Sequence, residues 1–285
     1  MAEIIPVAQA GQYAQLGIEA AFGTEIDASV QLASVKINDG IEIESKNFKA
    51  SGAKLDTVIT YGKEGADLGF EGVADYEEVY LFIASLAKAA ATDIPSYTIE
   101  KGPIGATGMI YTGAVVTDWT LKGDTSGIDV SGTMKCKASA PGITTGALIQ
   151  NKQNPIENKH CTVKVAGAKI ENVLSWSIGA SNLWAMCNFV GDKNAVGANE
   201  GDIGGDITLV MEATAANIAR VNTRTEQTFE FAFTNGVNTF NLKCNGILTG
   251  AEKFSAVGEV YAIGLIYRMT NTLVDGTNVI LVSYS

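Results

Sequence analysis

The sequence predicts a mainly β chain (α+β overall) built as two tandem antiparallel β-sandwich or barrel domains, each with one short helix. Three observations carry that prediction. Residues 109–136 read as strand, polar turn and strand, and residues 240–268 repeat the layout near the end. Period-two alternation is cleanest where Ile128, Val130, Met134 and Cys136 oppose Asp129, Ser131, Thr133 and Lys135, the pattern of a half-buried antiparallel strand. Helical periodicity surfaces only once in each half. The central glycines, Gly113 and Gly132 in one hairpin and Gly246 and Gly264 in the other, are expected to be counterparts that mark a bend or a close backbone approach. Two like hairpins in 285 residues place one domain at 1–150, with an N-terminal arm, and a second at 151–285.

Taken in order, residues 1–30 settle into neither period and read as the arm. Strands are expected at 30–37 and 41–44 around an Asn38-Asp39-Gly40 turn. Residues 45–67 read as a long polar loop with a weak strand at 55–61, a length that usually signals function. A strand over 68–74 runs into a helix with Asp75 as N-cap and Glu78 at capping-box spacing. That helix puts Tyr76, Val79, Tyr80, Ile83 and Leu86 on one face. A strand at 97–101 leads into the first hairpin, and residues 139–156, with two prolines, read as the linker.

The second half repeats the order. Strands at 161–165 and 173–178 flank an Ala166-Gly167-Ala168-Lys169 turn, and 182–205 is a second long glycine-rich loop. A strand at 206–213, a short helix at 215–221 and a strand at 228–234 precede the closing hairpin. The run Glu64-Gly65-Ala66-Asp67-Leu68-Gly69-Phe70 matches Glu200-Gly201-Asp202-Ile203-Gly204-Gly205-Asp206 ahead of each helix.

Charge excludes one class of function. Net charge is −11, with 10 basic and 19 acidic residues in 1–150 and 10 and 12 in 151–285. Nucleic-acid affinity rests on neutralising phosphates with Lys and Arg, so a phosphate-binding surface is not expected. Mean hydropathy is +0.14, yet no apolar run reaches the roughly 18 residues of a membrane span. The opening MAEIIPVAQAGQ lacks the basic and apolar regions of an export signal. The surplus apolar surface is therefore expected between subunits. Cys136, Cys161, Cys187 and Cys244 are far apart, form no CxxC, and read as reduced, mostly buried thiols.

Catalytic chemistry is hard to assemble from these residues. His160 is the only histidine, and as neighbours on a strand His160 and Cys161 would point to opposite faces rather than form a nucleophile pair. The sequence has no GxxxxGK[ST] loop and no GxSxG elbow. Residues 197–205 are glycine-rich but carry no basic residue for a phosphate, and Glu77-Glu78 reads as a solvated helix face. Trp119, Trp176 and Trp184, spread over both halves, read as core and interface residues rather than a sugar platform. The expectation is a non-enzyme with no catalytic, cofactor-binding or metal-ligating residue.

The layout resembles the tail tube (major tail) proteins of long-tailed, non-contractile bacteriophages, in the form with two tandem tube domains. The resemblance lies in Gly17-Ile18-Glu19 to Gly23-Thr24 as the arm, residues 45–67 as the long hairpin loop, and the unit from Gly69-Phe70-Glu71-Gly72 to Leu86 at the helix position. In the second half it lies in Val163-Lys164-Val165-Ala166-Gly167 followed by Val173-Leu174-Ser175-Trp176-Ser177-Ile178. It implies a virion protein, assembled in the bacterial cytoplasm, that self-assembles into stacked rings through which DNA passes without specific binding. Six tube domains per ring would need three chains with pseudo-sixfold symmetry, six chains being the other possibility. Tape measure and tail terminator proteins are the further partners implied, with no membrane and no cofactor. The long loops and the arm would bridge stacked rings. Other readings are a different self-assembling virion component, such as a tail terminator or head-surface protein, and a carbohydrate-binding two-domain β-sandwich.

Overall fold

The structure is a computed structural model that describes residues 12–48, 58–83, 95–103, 107–143, 149–150, 154–190, 192–252, 255–257, 260–275 and 279–285. The chain is mainly β, a large antiparallel sheet system with two short helices. The elements in order are β1 (Gln12–Ile18), β2 (Val30–Leu32), β3 (Val35–Phe48), β4 (Val58–Val73), α1 (Tyr76–Ile83), β5 (Tyr97–Pro103), β6 (Thr107–Gly123), β7 (Ile128–Cys136), β8 (Ala138–Ile143) and β9 (Ile149–Gln150). There follow β10 (Cys161–Val165), β11 (Ala168–Lys169), β12 (Val173–Ser181), β13 (Trp184–Cys187), β14 (Gly197–Glu200), β15 (Gly204–Glu212), α2 (Ala215–Ala219), β16 (Gln227–Thr234), β17 (Thr239–Ala251), β18 (Ser255–Val257), β19 (Val260–Met269) and β20 (Ile280–Tyr284).

One pairing pattern occurs twice. In the first half β3, β4, β7 and the C-terminal part of β6 lie side by side, and β1, β5, the N-terminal part of β6 and β8 form a second run. The second half pairs β12, β15, β19 and the C-terminal part of β17, and separately β10, β16, the N-terminal part of β17 and β20. The long strands β6 and β17 therefore belong to both runs of their half. Side chains from the two runs meet between them: Trp176 on β12 packs against Phe231 and Phe233 on β16, and Phe229 packs on Tyr267 of β19 with ring centroids 4.7 Å apart.

The local reason for these strands is alternation. On β16, Phe229, Phe231 and Phe233 are fully buried while Glu230 and Ala232 between them are not. Burying one such large apolar side chain is worth about 1.5–3 kcal/mol, whereas an exposed ion pair such as Lys135 with Asp67, 3.9 Å apart, adds at most about 1 kcal/mol. Core packing, not surface charge, holds the halves.

β6 changes sheets at Gly113. Up to Thr112 it pairs with β8, and from Val115 onward with β7. Gly113 has φ +63°, a conformation that costs an L-residue about 1–2 kcal/mol. Its N–H donates to Glu19, whose buried carboxylate also accepts from Gly23 N, Ser96 Oγ and Thr98 Oγ1.

Several sequence expectations are corrected. Asn38-Asp39-Gly40 is not a turn; it lies inside β3 and pairs with Gly69, Leu68 and Asp67 of β4, because Asp39 is held by Lys101 and the Tyr111 hydroxyl instead of facing a hairpin loop. Residues 45–48 and 58–67 are not loop but the outer ends of β3 and β4, paired from Ser45↔Tyr61 to Phe48↔Val58; residues 49–57 lie outside the described residues. The loop at 182–205 contains the β13–β14 hairpin. Residues 12–18 of the arm are strand β1, paired along β5, 19–29 are turn and irregular chain, and 1–11 lie outside the described residues. The linker begins as β8, where Pro141 is tolerated opposite Met109, and β9 pairs in parallel with β2. Ala166-Gly167 is a turn as expected, but it joins β10 to the short β11 at Ala168–Lys169, whereas β12 pairs with β15 and β6.

The helix begins where expected, with the N–H of Glu77 donating to Asp75 Oδ1. Tyr76, Val79 and Ile83 are buried as the pattern required, Tyr80 is half-buried, Phe82 joins them by stacking on Phe70, and Leu86 lies outside the described residues. Glu78 does not close a capping box; it reaches across to accept the N–H groups of Ala33, Ser34 and Val35.

Candidate functional site: a polar sheet face and its two edges

The two four-stranded units join. Trp119 to Gly123 of β6 pair with Ala180 to Trp176 of β12, so β3, β4, β7, β6, β12, β15, β19 and β17 form one continuous antiparallel sheet. At this seam the backbones approach closely: a Cβ at Gly179 would lie 2.8 Å from Thr120 Oγ1 and 2.9 Å from the Trp119 carbonyl oxygen. Trp119 and Trp176 are buried on the two sides of the seam.

The face of this sheet away from the core is mainly polar, with Val73, Val210, Ile247 and Ile266 as its apolar members. Alternation puts Lys36, Asn38 and Gly40 of β3 on it, with Asp67, Gly69 and Glu71 of β4 and Asp129, Ser131, Thr133 and Lys135 of β7. β6 adds Asp118, Thr120 and Lys122, β12 adds Ser175, Ser177, Gly179 and Ser181, β15 adds Asp206, Thr208 and Glu212, and β19 adds Arg268. Carboxylates and cations alternate instead of segregating: Asp67 faces Lys135, and Asp206 faces Arg268. Thr133 donates its hydroxyl to Asp118.

The sheet ends in two open edges. Among the described residues, no strand pairs with the side of β3 away from β4, nor with the side of residues 247–251 away from β19.

The two halves match closely in register. β6 carries a bulge at Thr117 against β7, and β17 carries one between Leu248 and Gly250 against β19, at Thr249. Each bulge threonine donates its hydroxyl to a carbonyl across the ladder, Thr117 to Thr133 and Thr249 to Ile266, both at 3.2 Å. Matching the ladders there aligns Val116 with Leu248, Met134 with Tyr267, Lys135 with Arg268, and Asp67 with Asp206. The glycines predicted as counterparts are thus offset by one residue: Gly246 matches Ala114, Gly264 matches Ser131, and Gly113 is an extra residue of the first half. The run from Glu64 is likewise offset by three from the run starting at Glu200.

The chain matches no protein-family model and no curated protein.

A concavity of about 780 Å³ lies on the polar face at the seam, lined by Asp118, Thr133, Lys135, Ser177, Trp184 and Asp206 among others. Trp119 and Trp184 both reach it, which their spread over two halves did not suggest. Trp119 is 1% exposed, so its ring offers no stacking surface to a sugar. His160 closes a 3-10 turn just before β10 instead of lying on the strand, and its Nδ1 accepts the N–H of Glu157 at 3.3 Å. All four cysteines are free thiols, and burial pushes Cys161 and Cys244 up to about 12, so neither is a thiolate at neutral pH. Among the described residues no group of three or more His, Cys, Asp or Glu could hold a metal ion, and no helix is long and apolar enough to cross a membrane. Exposed apolar side chains include the adjacent Phe189 and Val190 at the β13–β14 turn, Val237 at the β16–β17 turn, and Tyr261 at the start of β19.

Proposed function

We propose that this chain is a structural subunit, not an enzyme, that assembles with copies of itself into rings and stacks them as the hollow tail tube of a long-tailed bacteriophage, its two halves serving as tandem tube domains at 1–150 and 151–285. The observation that carries the reading is the seam. Two units of the same strand order are already joined edge to edge within one chain, and among the described residues the product still ends in one edge of each kind. Open sheet edges are templates for further pairing, and a head-to-tail contact that repeats by rotation closes a ring. Three chains with two units each would give the pseudo-sixfold ring.

The polar face would then line the lumen. Its charged side chains named above comprise Asp67, Glu71, Asp118, Asp129, Asp206 and Glu212 against Lys36, Lys122, Lys135 and Arg268. Such a mixed, slightly negative wall has no cationic stripe to hold phosphates, which suits a duplex that slides. The β3–β4 ribbon and the β13–β14 hairpin, with exposed Phe189 and Val190, would reach neighbouring rings.

Negative-stain microscopy and solution mass of the purified chain at rising concentration test the proposal. Hollow tubes growing from a small species are expected. Closed shells or solitary rings would favour a head-surface or terminator role, and a monomer that persists at high concentration would overturn assembly altogether.

A further inference from the structure

The seam between β6 and β12 specifies which residues meet when one copy joins the next. We infer that the edge of β17 in one copy pairs antiparallel with the edge of β3 in another, in the register of the internal seam, setting Ala251 opposite Ile41 and Glu252 opposite Gly40. This rests on the assembly reading above and names the edges it requires.

The register follows from two alignments already fixed by hydrogen bonds. On one side, the bulges at Thr117 and Thr249 align Trp119 with Ala251 and Thr120 with Glu252. The match holds past the strand end: Thr120 pairs with Ser131, and the N–H of Glu252 donates to the Gly264 carbonyl at 2.8 Å, Gly264 being the counterpart of Ser131. On the other side, Asp67 of β4 pairs with Gly40 of β3 as Asp206 of β15 pairs with Gly179 of β12, so Gly40 corresponds to Gly179 and Ile41 to Ala180. At the internal seam Trp119 pairs with Ala180 and Thr120 with Gly179. Transferring those pairs to the open edges gives the stated contacts.

Gly40 supplies an independent reason. Glycine at 179 is required because a Cβ would collide with Thr120 and the Trp119 carbonyl of the adjoining strand. Among the described residues nothing requires glycine at 40: the nearest atom to a Cβ there is the Asp67 carbonyl oxygen at 3.8 Å, an ordinary contact, and its φ is not positive. Glycine inside a strand is also unfavourable by roughly 0.5–1 kcal/mol relative to alanine. A glycine held at a cost, with no described atom crowding it, at the position where the internal seam demands one, fits a strand that arrives only on assembly. The occupant is a second copy, since the complementary edge is that of β17.

Two variants test this in the full chain. Gly40→Val should fold as well as the parent, with an equal or higher melting temperature, and should fail to form rings or tubes where the parent forms them. Ile41→Cys combined with Ala251→Cys should form intermolecular disulfides on mild oxidation of assembled protein, because directly opposed residues of an antiparallel pair have Cα atoms about 4.5–5.5 Å apart, within disulfide range. The ladder on a non-reducing gel should end at the ring size, and neither single variant nor the parent should produce it. Gly40→Val tubes of normal length, or parental-type tubes whose double-cysteine copies do not cross-link, would overturn this register while leaving assembly intact. A parent chain that never assembles would overturn both.

Discussion

The two halves share a strand order but are locked differently. The first half ties its loops down with buried carboxylates: Glu19 gathers Gly23, Ser96, Thr98 and Gly113, Glu78 gathers Ala33 to Val35, and Glu100 accepts the N–H of Ala28. The second half relies on aromatic packing, with Phe229, Phe231, Phe233 and Phe240 fully buried around Trp176 and Tyr267. Its buried polar side chains among the described residues are Asn217 and Asn245. Pairing order thus depends on alternation and sheet geometry, and each half reaches it with its own interior.

The sharpest way to break the comparison is to remove one lock from each side. Phe231→Ala should lower unfolding stability by about 3–5 kcal/mol in urea titration, the cost of a large cavity. Glu19→Ala should cost roughly 3 kcal/mol, since several buried donors lose their acceptor together, and Glu19→Gln should recover part of the loss because one oxygen still accepts. Loss of amide-exchange protection at Gly113 in Glu19→Ala, but not in Phe231→Ala, would separate the two mechanisms.

A smaller contrast lies at the point where the long strands change sheets. Gly113→Ala should cost about 1–2 kcal/mol from its positive φ, besides a Cβ 2.7 Å from Lys137 Cβ, whereas Gly246→Ala, without that φ and with its Cβ 3.2 Å from the Arg268 carbonyl oxygen and Phe229 Cε2, should cost less. Equal effects would show that the two positions are equivalent after all.

The smallest effect concerns pH. Glu230 sits across the ladder between Lys164 at 2.8 Å and Lys243 at 3.2 Å, and the bond from Lys164 holds its carboxyl below the ordinary value of 4.5. A lowered folded-state pKa means the contribution is present above 4.5 and lost as pH falls through the folded value. Glu230→Gln should therefore narrow the difference between urea midpoints measured at neutral pH and at pH below the carboxylate range. An unchanged difference would assign that acid sensitivity to other carboxylates.

Much of this architecture is legible in the sequence. The alternation of Ile128 to Cys136, the N-cap at Asp75 and the order of strand and helix in each half are local patterns, and local patterns survive folding. What misled was also local. Asp39-Gly40 carries the chemistry of a tight turn, yet Lys101 and Tyr111, more than 60 residues away, hold Asp39 within a strand. Glu78 has capping-box spacing but is drawn away by three N–H groups of another segment. The glycine repeat was visible but misaligned by one residue, because the extra residue at Gly113 only shows against its neighbouring strands.

Sequence alone determined that the chain is mainly β, that its halves echo one another, and which side chains of the 128–136 strand and the first helix turn inward, since apolar alternation is a property of each element by itself. Tertiary structure decided which strands pair, that β6 and β12 fuse the halves into one sheet, and that among the described residues an edge of each kind is left open. Hydrogen-bond ladders join residues far apart in sequence, and a one-residue bulge shifts every partner beyond it. The candidate assembly edges are therefore products of register, which no stretch of sequence specifies without its neighbour.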